Sequence, residues 1–401
     1  MNLILDIFST VSIFFALYFM FFFFLVFSSN RKNFFKRPKI KRFPSVSVII
    51  PAYNEGERIA KTIQNIKRLI YPKKLDIIVI DDGSTDNTYE AAKSLKAIRV
   101  FSKSNEGKAS ALNFGLKKAK GEIVVCIDSD SYPERRALLK AIPNFEDNVV
   151  AVTTTVLAKK SKKIIQRFQK IEYLLIAGSR KLLEYLNAIY VTPGPMSLYK
   201  RDVLISVGGF DEKNLTEDIE IAWRLLSKGY KIKMDLGVKV FTELPTTLKK
   251  WWHQRLRWNV GGIQTTLKYK GLLFKKGFGS LGTFVLPFFS MSYVLSIFGF
   301  FIILYVIYQF FNSLLGSYIY GFNLFHISEF YFLPDTFLFL AVLTLLSSFV
   351  YMAIFFSAVR SKVNVKNKFL DYALYIFAYF SLFPLNLFHS YFKFLTRRYE
   401  W

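Results

Sequence analysis

The sequence VSVIIPAYNE at residues 46–55 decides the fold, because it places a short apolar strand directly before a cluster of polar side chains. The same pattern returns as LDIIVIDDGS at residues 75–84 and as EIVVCIDSD at residues 122–130. A short apolar run bounded by turn residues is typical of a buried strand. Three such strands, each followed by polar residues, predict one sheet with one polar edge.

The segments between these strands have the periodicity of helices. Ile59, Ile63, Ile66 and Ile70 recur at helical spacing. Strand and helix signals alternate, which predicts an α/β domain with a Rossmann-like, mostly parallel sheet and helices on both faces. Ligands bind such sheets beyond the carboxyl ends of the strands, where the polar clusters fall. The remaining predicted elements are a helical stretch ending near Leu95, a strand at Ile98–Phe101 and a helix at Lys108–Ala119.

Composition separates this chain from ordinary soluble proteins. Of its 401 residues 52% are hydrophobic and 18% aromatic, yet Lys and Arg outnumber Asp and Glu by 55 to 29, a formal charge of +26. Apolar and charged residues are segregated along the sequence, which indicates a membrane protein with a cationic aqueous part and excludes a disordered chain. One cysteine, Cys126, and three histidines exclude a disulfide framework and a Cys/His zinc cluster.

Residues 1–30 are predicted to form a transmembrane helix. Ile7–Asn30 contains no charged residue, and Arg31–Arg42 then holds seven basic residues and no acid. This length suffices to cross a bilayer, and the basic flank places the following residues in the cytoplasm. A signal peptide is the alternative, but its charges would precede the apolar run.

Three more transmembrane helices are predicted within residues 281–392, from the apolar runs Leu281–Phe311, Phe332–Val359 and Phe369 to about Phe392. The chain is thus expected to be a multi-pass protein of the cell membrane with a cytoplasmic domain at residues 43–245. Four spans leave the basic tail, residues 393–401, on the outside, unless Pro384 breaks the last span into a re-entrant segment.

Residues 246–280 are expected to lie at the membrane surface. Thr246–Lys276 contains eight Lys or Arg and no acid, and Trp251 and Trp252 accompany Lys249, Lys250 and Arg255. Aromatic and basic side chains together favour the membrane interface. The spacing of Gln254, Arg257 and Trp258 places all three on one helix face, which presents an amide, a guanidinium and an indole together to a ligand. Both interpretations can hold together.

The high positive charge fits anionic lipid as a partner, because much of it lies beside the predicted spans and no nucleic-acid motif is present. Asp128 and Asp130 can hold Mg²⁺ or Mn²⁺, which prefer oxygen ligands and bridge phosphates. Lys108 begins a helix and is either a phosphate contact or a solvated lysine. Thr216-Glu217-Asp218 precedes an amphipathic run and is what a capped helix start looks like, which is the alternative to any catalytic role for Asp218.

Seven motifs in order resemble those of membrane-embedded family-2 glycosyltransferases of the GT-A fold, a group that includes cellulose, chitin, hyaluronan and poly-N-acetylglucosamine synthases. The resemblance covers about residues 46–262 and implies a GT-A domain joined to transmembrane helices. The motifs are Pro51–Glu55, Asp81–Gly83, Lys108–Asn113, Asp128–Asp130, Gly208–Phe210, Thr216–Asp218 and Gln254–Trp258.

The resemblance implies a role for each site residue. Asp218 would be the general base with Glu217 as a second catalytic residue, and Trp258 would bind the acceptor. Asp130, with Asp128, would ligate a divalent cation, and Tyr53 would stack on uracil. The nucleotide-sugar site would comprise Tyr53, Glu55, Asp81, Asp82, Lys108, Asp128, Asp130, Gln254 and Arg257.

The expected activity is inverting transfer from a UDP-sugar, with UDP-N-acetylglucosamine the donor hypothesis, to a growing β-linked polysaccharide. Two alternatives stay open. A glycolipid synthase would add one or a few sugars to a lipid-linked acceptor, and a non-catalytic membrane protein would only bind the nucleotide-sugar. A homo-oligomer also remains open.

Overall fold

The computed structural model describes residues 3–146, 148–320 and 369–397, in which one sheet domain is joined to long apolar helices. The strands are β1 Val46–Ala52, β2 Asp76–Asp81, β3 Arg99–Ser102, β4 Ile123–Cys126, β5 Ser131–Pro133, β6 Val149–Ala158, β7 Ser197–Lys200 and β8 Lys231–Thr242. The helices are α1 Leu3–Asn30, α2 Ile59–Lys67, α3 Thr88–Lys93, α4 Lys108–Lys118, α5 Ala137–Ala141, α6 Ile164–Glu184, α7 Arg201–Ser206, α8 Glu217–Ser227, α9 Leu248–Tyr269, α10 Leu286–Tyr320 and α11 Phe369–Thr396.

The sheet is mixed, with the strand order β3-β2-β1-β4-β7-β6-β8-β5. The pairs β1–β2, β1–β4 and β2–β3 are parallel, as predicted. In the other half β6 and β8 also pair in parallel, so the sheet is mostly parallel as expected, whereas β7 runs antiparallel to β4 and to β6, and β5 antiparallel to β8. β7 begins at the polar edge, directly after the loop at residues 192–194, and therefore runs against β4.

The predicted strands and helices of the first half are confirmed within a few residues, and side-chain alternation explains how they pack. All seven residues of β1 are buried. Ile49 packs into the core that holds Leu112 of α4, whereas Val48 and Ile50 face the core formed with α2. Burial of each such side chain contributes about 1.5–3 kcal/mol. Because both faces are covered, the polar groups concentrate at the ends of the strands.

Helix α9 is built into the structure and is not only laid on a surface. Trp251 and Arg255 are each 2% exposed, although the sequence predicts both at the membrane interface. The assignment of Arg255 is wrong because its Nε donates to Oε1 of Glu172 on α6 at 3.0 Å, while its guanidinium stacks 4.1 Å from the ring centre of Trp258. Lys249 and Lys250 are exposed, as expected for an outer face.

The final helix, α11, is anchored to α9 by polar contacts. Nδ2 of Asn386 donates to the carbonyl of Trp252 at 3.0 Å, and Nε1 of Trp252 donates to Nδ1 of His389 at 3.0 Å. α11 continues through Pro384, so the predicted re-entrant break is wrong. A proline lacks the backbone N–H but does not stop a helix whose neighbours hold it.

Two helices in the described part of the chain contain a segment long and apolar enough to cross a bilayer, Ile13–Asn30 and Leu281–Phe298. The predicted span Phe332–Val359 lies outside the described residues. A short π-helix at Leu281–Val285 leads directly into α10. The described helices are therefore consistent with two of the four predicted spans, by length and composition.

We expect Arg255→Met to lower the free energy of unfolding by about 3–5 kcal/mol, because it leaves the Glu172 carboxylate buried without its partner. Thermal or denaturant unfolding of the detergent-purified chain measures this. Arg42→Met is the matched control, since the exposed pair of Arg42 and Glu122 contributes at most about 1 kcal/mol. Equal losses in the two variants would contradict a buried pair, and Glu172→Leu/Arg255→Met should recover much of the stability.

Candidate active site

Lys108 stands at the centre of the polar edge. It is the first residue of α4, and its Nζ lies 2.6 Å from Oδ1 of Asp128 and 3.0 Å from Oε1 of Glu217. The two carboxylates raise the pKa of Lys108 above its ordinary value, against the opposing effect of burial. One ammonium thus joins the end of β4 to the start of α8. The interpretation of Lys108 as a merely solvated lysine is excluded by these contacts.

Asp218 lies beside Glu217 in the first turn of α8, and its surroundings set its protonation. Burial, and then the charge of Glu217, raise the pKa of Asp218 to about 7, although Lys108 and Arg257 oppose the shift. A carboxyl group with this pKa can accept a proton near neutral pH.

Glu217 has the opposite shift. Burial acts to raise its pKa, but the charges of Lys108 and Arg257 are stronger in sum and hold the pKa of Glu217 below its ordinary value. The two neighbouring acids are therefore separated into one that stays ionised and one that titrates near pH 7. Such a separation is typical of acid–base sites.

Thr192 fixes the backbone of Asp218. Its N–H and its Oγ1 both donate to the Asp218 carbonyl, at 3.1 and 3.0 Å, and the Tyr199 hydroxyl donates to Thr192 Oγ1 at 2.8 Å. Thr216 occupies the N-cap position of α8 but makes no side-chain capping bond, and its hydroxyl instead donates to Oδ1 of Asn214 at 3.1 Å. The side chain of Thr216 thus does not cap the helix.

Asp81 and Asp82 are buried, and both accept hydrogen bonds from the segment at the end of β3 and after it. Asp81 accepts a hydrogen bond from Ser102 Oγ at 2.9 Å. Asp82 accepts from Lys103 Nζ at 2.9 Å and from the Gly107 N–H at 2.8 Å. These bonds order the segment that leads into α4 and thereby place Lys108.

Tyr53 and Glu55 lie on the loop after β1. Tyr53 is 49% exposed, which leaves its ring available for stacking. Asn54 has φ of 53°, a left-handed conformation that asparagine tolerates, and its Oδ1 accepts from the Thr85 N–H at 2.9 Å. Burial raises the pKa of Glu55 although Arg58 opposes the shift. Hydrogen bonds therefore connect the loops after β1 and β2 around the predicted nucleobase site.

Asp128 and Asp130 are the two carboxylates that the sequence predicts as cation ligands. Burial, and then the charge of Asp128, raise the pKa of Asp130. Asp130 Oδ1 accepts weakly from Ser131 and Thr242, at 3.1 and 3.3 Å. No cluster of three or more His, Cys, Asp or Glu that could hold a metal occurs in residues 3–146, 148–320 and 369–397. Two carboxylates fit a cation whose other ligands come from a diphosphate and water.

One face of α9 carries Gln254, Arg257 and Trp258, and part of this face lies at the site. Arg257 interacts electrostatically with both Glu217 and Asp218. Gln254 Oε1 accepts from Arg255 Nη1 at 2.6 Å, which fixes the amide. Trp258 is half-buried, and the guanidinium of Arg255 covers its ring from one side. Arg257 is thus beside the acids, while Gln254 and Trp258 are steadied by a buried arginine.

Two functional candidates escaped sequence reasoning. A Cβ on Gly194 would lie 2.4 Å from Lys108 Nζ and 2.6 Å from Asp128 Oδ2, so a larger residue would displace the ammonium or the carboxylate. Arg180 on α6 is 2% exposed, and its Nε and Nη1 donate no hydrogen bond within the described residues. Burial lowers the pKa of Arg180 to about 10, opposed by Tyr190 and Asp218. Pro193-Gly194-Pro195 could have marked the first as a turn, whereas nothing in the sequence distinguishes Arg180.

The mixed sheet carries acids and a lysine at the carboxyl ends of its parallel strands, which defines an α/β fold with a polar site at that edge. A solved structure, the mannosyltransferase PcManGT from Pyrobaculum calidifontis in complex with GDP-Man and Mn²⁺, shares this fold with a TM-score of 0.56 at 20% identity, over 97% of this chain and 99% of that one. Residues 47–208 match the family model Glycosyl transferase family 2, and the chain carries a domain of that family. The predicted resemblance is thereby confirmed.

Two curated relatives are similar in sequence. The chain is 35% identical over 242 residues to the poly-beta-1,6-N-acetyl-D-glucosamine synthase of Staphylococcus aureus strain COL, an alignment that covers 58% of each chain. It is 35% identical over 230 residues to the synthase of the same name from Staphylococcus epidermidis strain ATCC 35984, with 56% of each covered. The chain therefore spans less than two thirds of the length of these relatives.

We expect Thr192→Val to slow sugar transfer about tenfold, because it removes one hydrogen bond that fixes Asp218 while keeping the side-chain volume. Steady-state kinetics should show the loss in kcat, with the dissociation constant of UDP unchanged. Thr155→Val is the matched control, since it removes a buried hydroxyl bonded to the Leu236 carbonyl at 3.0 Å. A similar loss of kcat in both variants would refute the positioning role.

Proposed function

We propose that the chain is an inverting glycosyltransferase that moves a sugar from a nucleotide-diphosphate donor to an acceptor hydroxyl, with Asp218 as the general base. The observation that carries this proposal is the pair of neighbouring acids, in which Asp218 has a pKa of about 7 while Lys108 holds Glu217 ionised. A non-catalytic binding protein has no need of a carboxyl group poised in this way.

In the proposed reaction the carboxylate of Asp218 takes the proton of the acceptor hydroxyl. The hydroxyl oxygen attacks the anomeric carbon, and the bond from that carbon to the donor diphosphate breaks, which inverts the anomeric centre. The nucleoside diphosphate leaves with the bonding electrons. Lys108 and Arg257 are the nearby cations that can stabilise the negative charge of the leaving group. Thr192 and Tyr199 keep Asp218 in place during the transfer.

The donor would bind along the ends of β1, β2 and β4. Tyr53 is available to stack on the base, and Glu55 with the Asp81 and Asp82 loops would surround the nucleoside. Asp130, with Asp128, would hold Mg²⁺ or Mn²⁺, which supplies charge neutralisation for the diphosphate when bound. Lys108 contacts both Asp128 and Glu217, so its ammonium would lie beside the donor diphosphate.

The acceptor would approach from the side of α6, α9 and α10. The ring of Trp258 can stack on a sugar, and the unpaired N–H groups of Arg180 are donors for acceptor oxygens. The identity to poly-N-acetylglucosamine synthases supports UDP-N-acetylglucosamine as donor and a β-linked polysaccharide as product. The apolar helices support a multi-pass location in the cell membrane, with the sheet domain in the cytoplasm.

We expect Asp218→Asn to reduce transfer by about 10²–10⁴, because an amide cannot accept the proton. The measurement is UDP release with Mg²⁺ or Mn²⁺ across a panel of UDP-sugars, together with the size of the saccharide product. UDP binding by the variant, which keeps the donor loops, should equal that of the wild type.

The outcomes of this measurement separate the candidate functions. Turnover of one donor that is lost in Asp218→Asn, with a product of many sugars, supports the polymer synthase. A product of one or two sugars that partitions into organic solvent would replace it by the glycolipid synthase. Equal background release from both proteins with donor still bound would overturn the enzymatic proposal.

The rate should fall about tenfold for each pH unit below about 7, because Asp218 must be ionised and burial raises its pKa. Glu217→Gln removes a charge that raises this pKa and also frees the cationic Lys108, so both effects lower the pKa of Asp218. The acid limb of the pH–rate profile should therefore move to lower pH in this variant, whatever the change in maximal rate. An unmoved or upward-shifted limb would refute Asp218 as the titrating base.

A further inference from the structure

A second cavity lies away from the acids of the active site. It has a volume of about 250 Å³ and is enclosed by the segment after α1, by α5 and α6, and by the middle of β8. Basic side chains dominate its lining, which contains one carboxylate. The lining cations are Lys36, Arg37, Lys140, Lys181 and Lys239, and the carboxylate is Asp235.

Three of the five cations have a carboxylate of their own. Arg37 binds Asp235 through two hydrogen bonds, of 2.6 and 2.8 Å. Lys140 Nζ donates to Glu134 Oε1 at 2.6 Å. Lys181 Nζ donates to both oxygens of Glu184 at 2.9 Å. These pairs are neutral as units and form the walls.

The remaining two cations have no carboxylate partner, and Lys36 is exposed while Lys239 is half-buried. Within residues 3–146, 148–320 and 369–397, the ammonium groups of Lys36 and Lys239 have neither a hydrogen bond nor an ion pair. Five cations against three carboxylates leave the cavity with two positive charges. A group with two negative charges and several acceptor oxygens would balance them, which describes a phosphate monoester.

Glycine makes this arrangement possible at one position. A Cβ on Gly237 would lie 2.5 Å from Nη2 of Arg37, so a larger residue would displace the guanidinium from Asp235. The Gly237 N–H also donates to Asp235 Oδ1 at 2.8 Å. The backbone of β8 thus holds Asp235 and makes room for Arg37, as expected of a formed site.

We propose that this cavity binds a phosphate group carrying two negative charges. The source best placed to supply it is the headgroup of an anionic membrane lipid, because Lys36 and Arg37 follow closely on the apolar segment Ile13–Asn30. That preference rests on the proposed membrane location, whereas the phosphate chemistry does not. Free phosphate of the same charge is the other source.

Occupancy of the cavity would be felt at the active site through β8. This strand lines the cavity at residues 234–239 and ends at Thr242, whose hydroxyl donates to Asp130 at 3.3 Å. α6 likewise carries Lys181 at the cavity and, one residue before it, Arg180 toward Asp218. A bound phosphate would therefore tie the juxtamembrane segment to two elements that support the catalytic acids.

The test uses the full chain purified in detergent. Native mass spectrometry compares retention of phosphatidic acid with phosphatidylcholine, and equilibrium dialysis measures inorganic phosphate. We expect phosphatidic acid to bind selectively, and Lys36→Gln/Lys239→Gln to weaken it by about tenfold or more for each ammonium lost. The matched control, Lys61→Gln/Lys73→Gln, removes two exposed lysines elsewhere and should bind as the wild type does.

Selective retention of phosphatidic acid that the pocket variant loses supports a lipid source, and equally tight binding of inorganic phosphate supports a free one. Undiminished binding by the pocket variant, or equal retention of both lipids together with no binding of inorganic phosphate, overturns the site. Asp218→Asn should bind phosphatidic acid normally, so failure of this proposal and failure of the transferase proposal give different results.

Discussion

The contact of Lys108 with two carboxylates is the interaction on which the site depends. It joins Asp128, at the end of a strand in the parallel half of the sheet, to Glu217, at the start of a helix that follows the antiparallel strand β7. A buried charge of either sign alone would be costly, so each member requires the others. Gly194, which has no side chain, leaves space for this contact. The loop held by Asp82 positions Lys108 at the start of α4.

The same contact accounts for the different protonation of neighbouring acids. Lys108 contacts Glu217 at 3.0 Å and keeps it ionised, and the ionised Glu217 then makes a second negative charge at Asp218 unfavourable. The acid–base character of Asp218 is therefore a property of the group and not of one side chain. The surroundings thus give an ordinary aspartate a pKa suited to proton transfer near neutral pH.

Sequence reasoning predicted what depends on local pattern. Apolar strands followed by polar clusters determine the parallel half, and the positions of Asp81 and Asp128 at one edge follow from it, whereas the expectation for Asp218 rests on the motif resemblance. It failed where a distant partner decides. Arg255 reads as an interfacial cation because its partner, Glu172, lies 83 positions earlier on another helix. β7 is antiparallel because the loop before it reaches the polar edge of the sheet, where the strand then begins. Hydrophobic periodicity does not predict the path of such a loop.

The anchoring of α9 by α11 has a consequence for the order of assembly. Synthesis proceeds from the amino terminus, so the sheet and the acids at its edge can form while later helices are still being made. The helix that carries Gln254 and Arg257 finds its anchors, Asn386 and His389, only in the last thirty or so residues that the structure describes. A nascent chain thus carries α9 without these two anchors until α11 has been synthesised and packs against it.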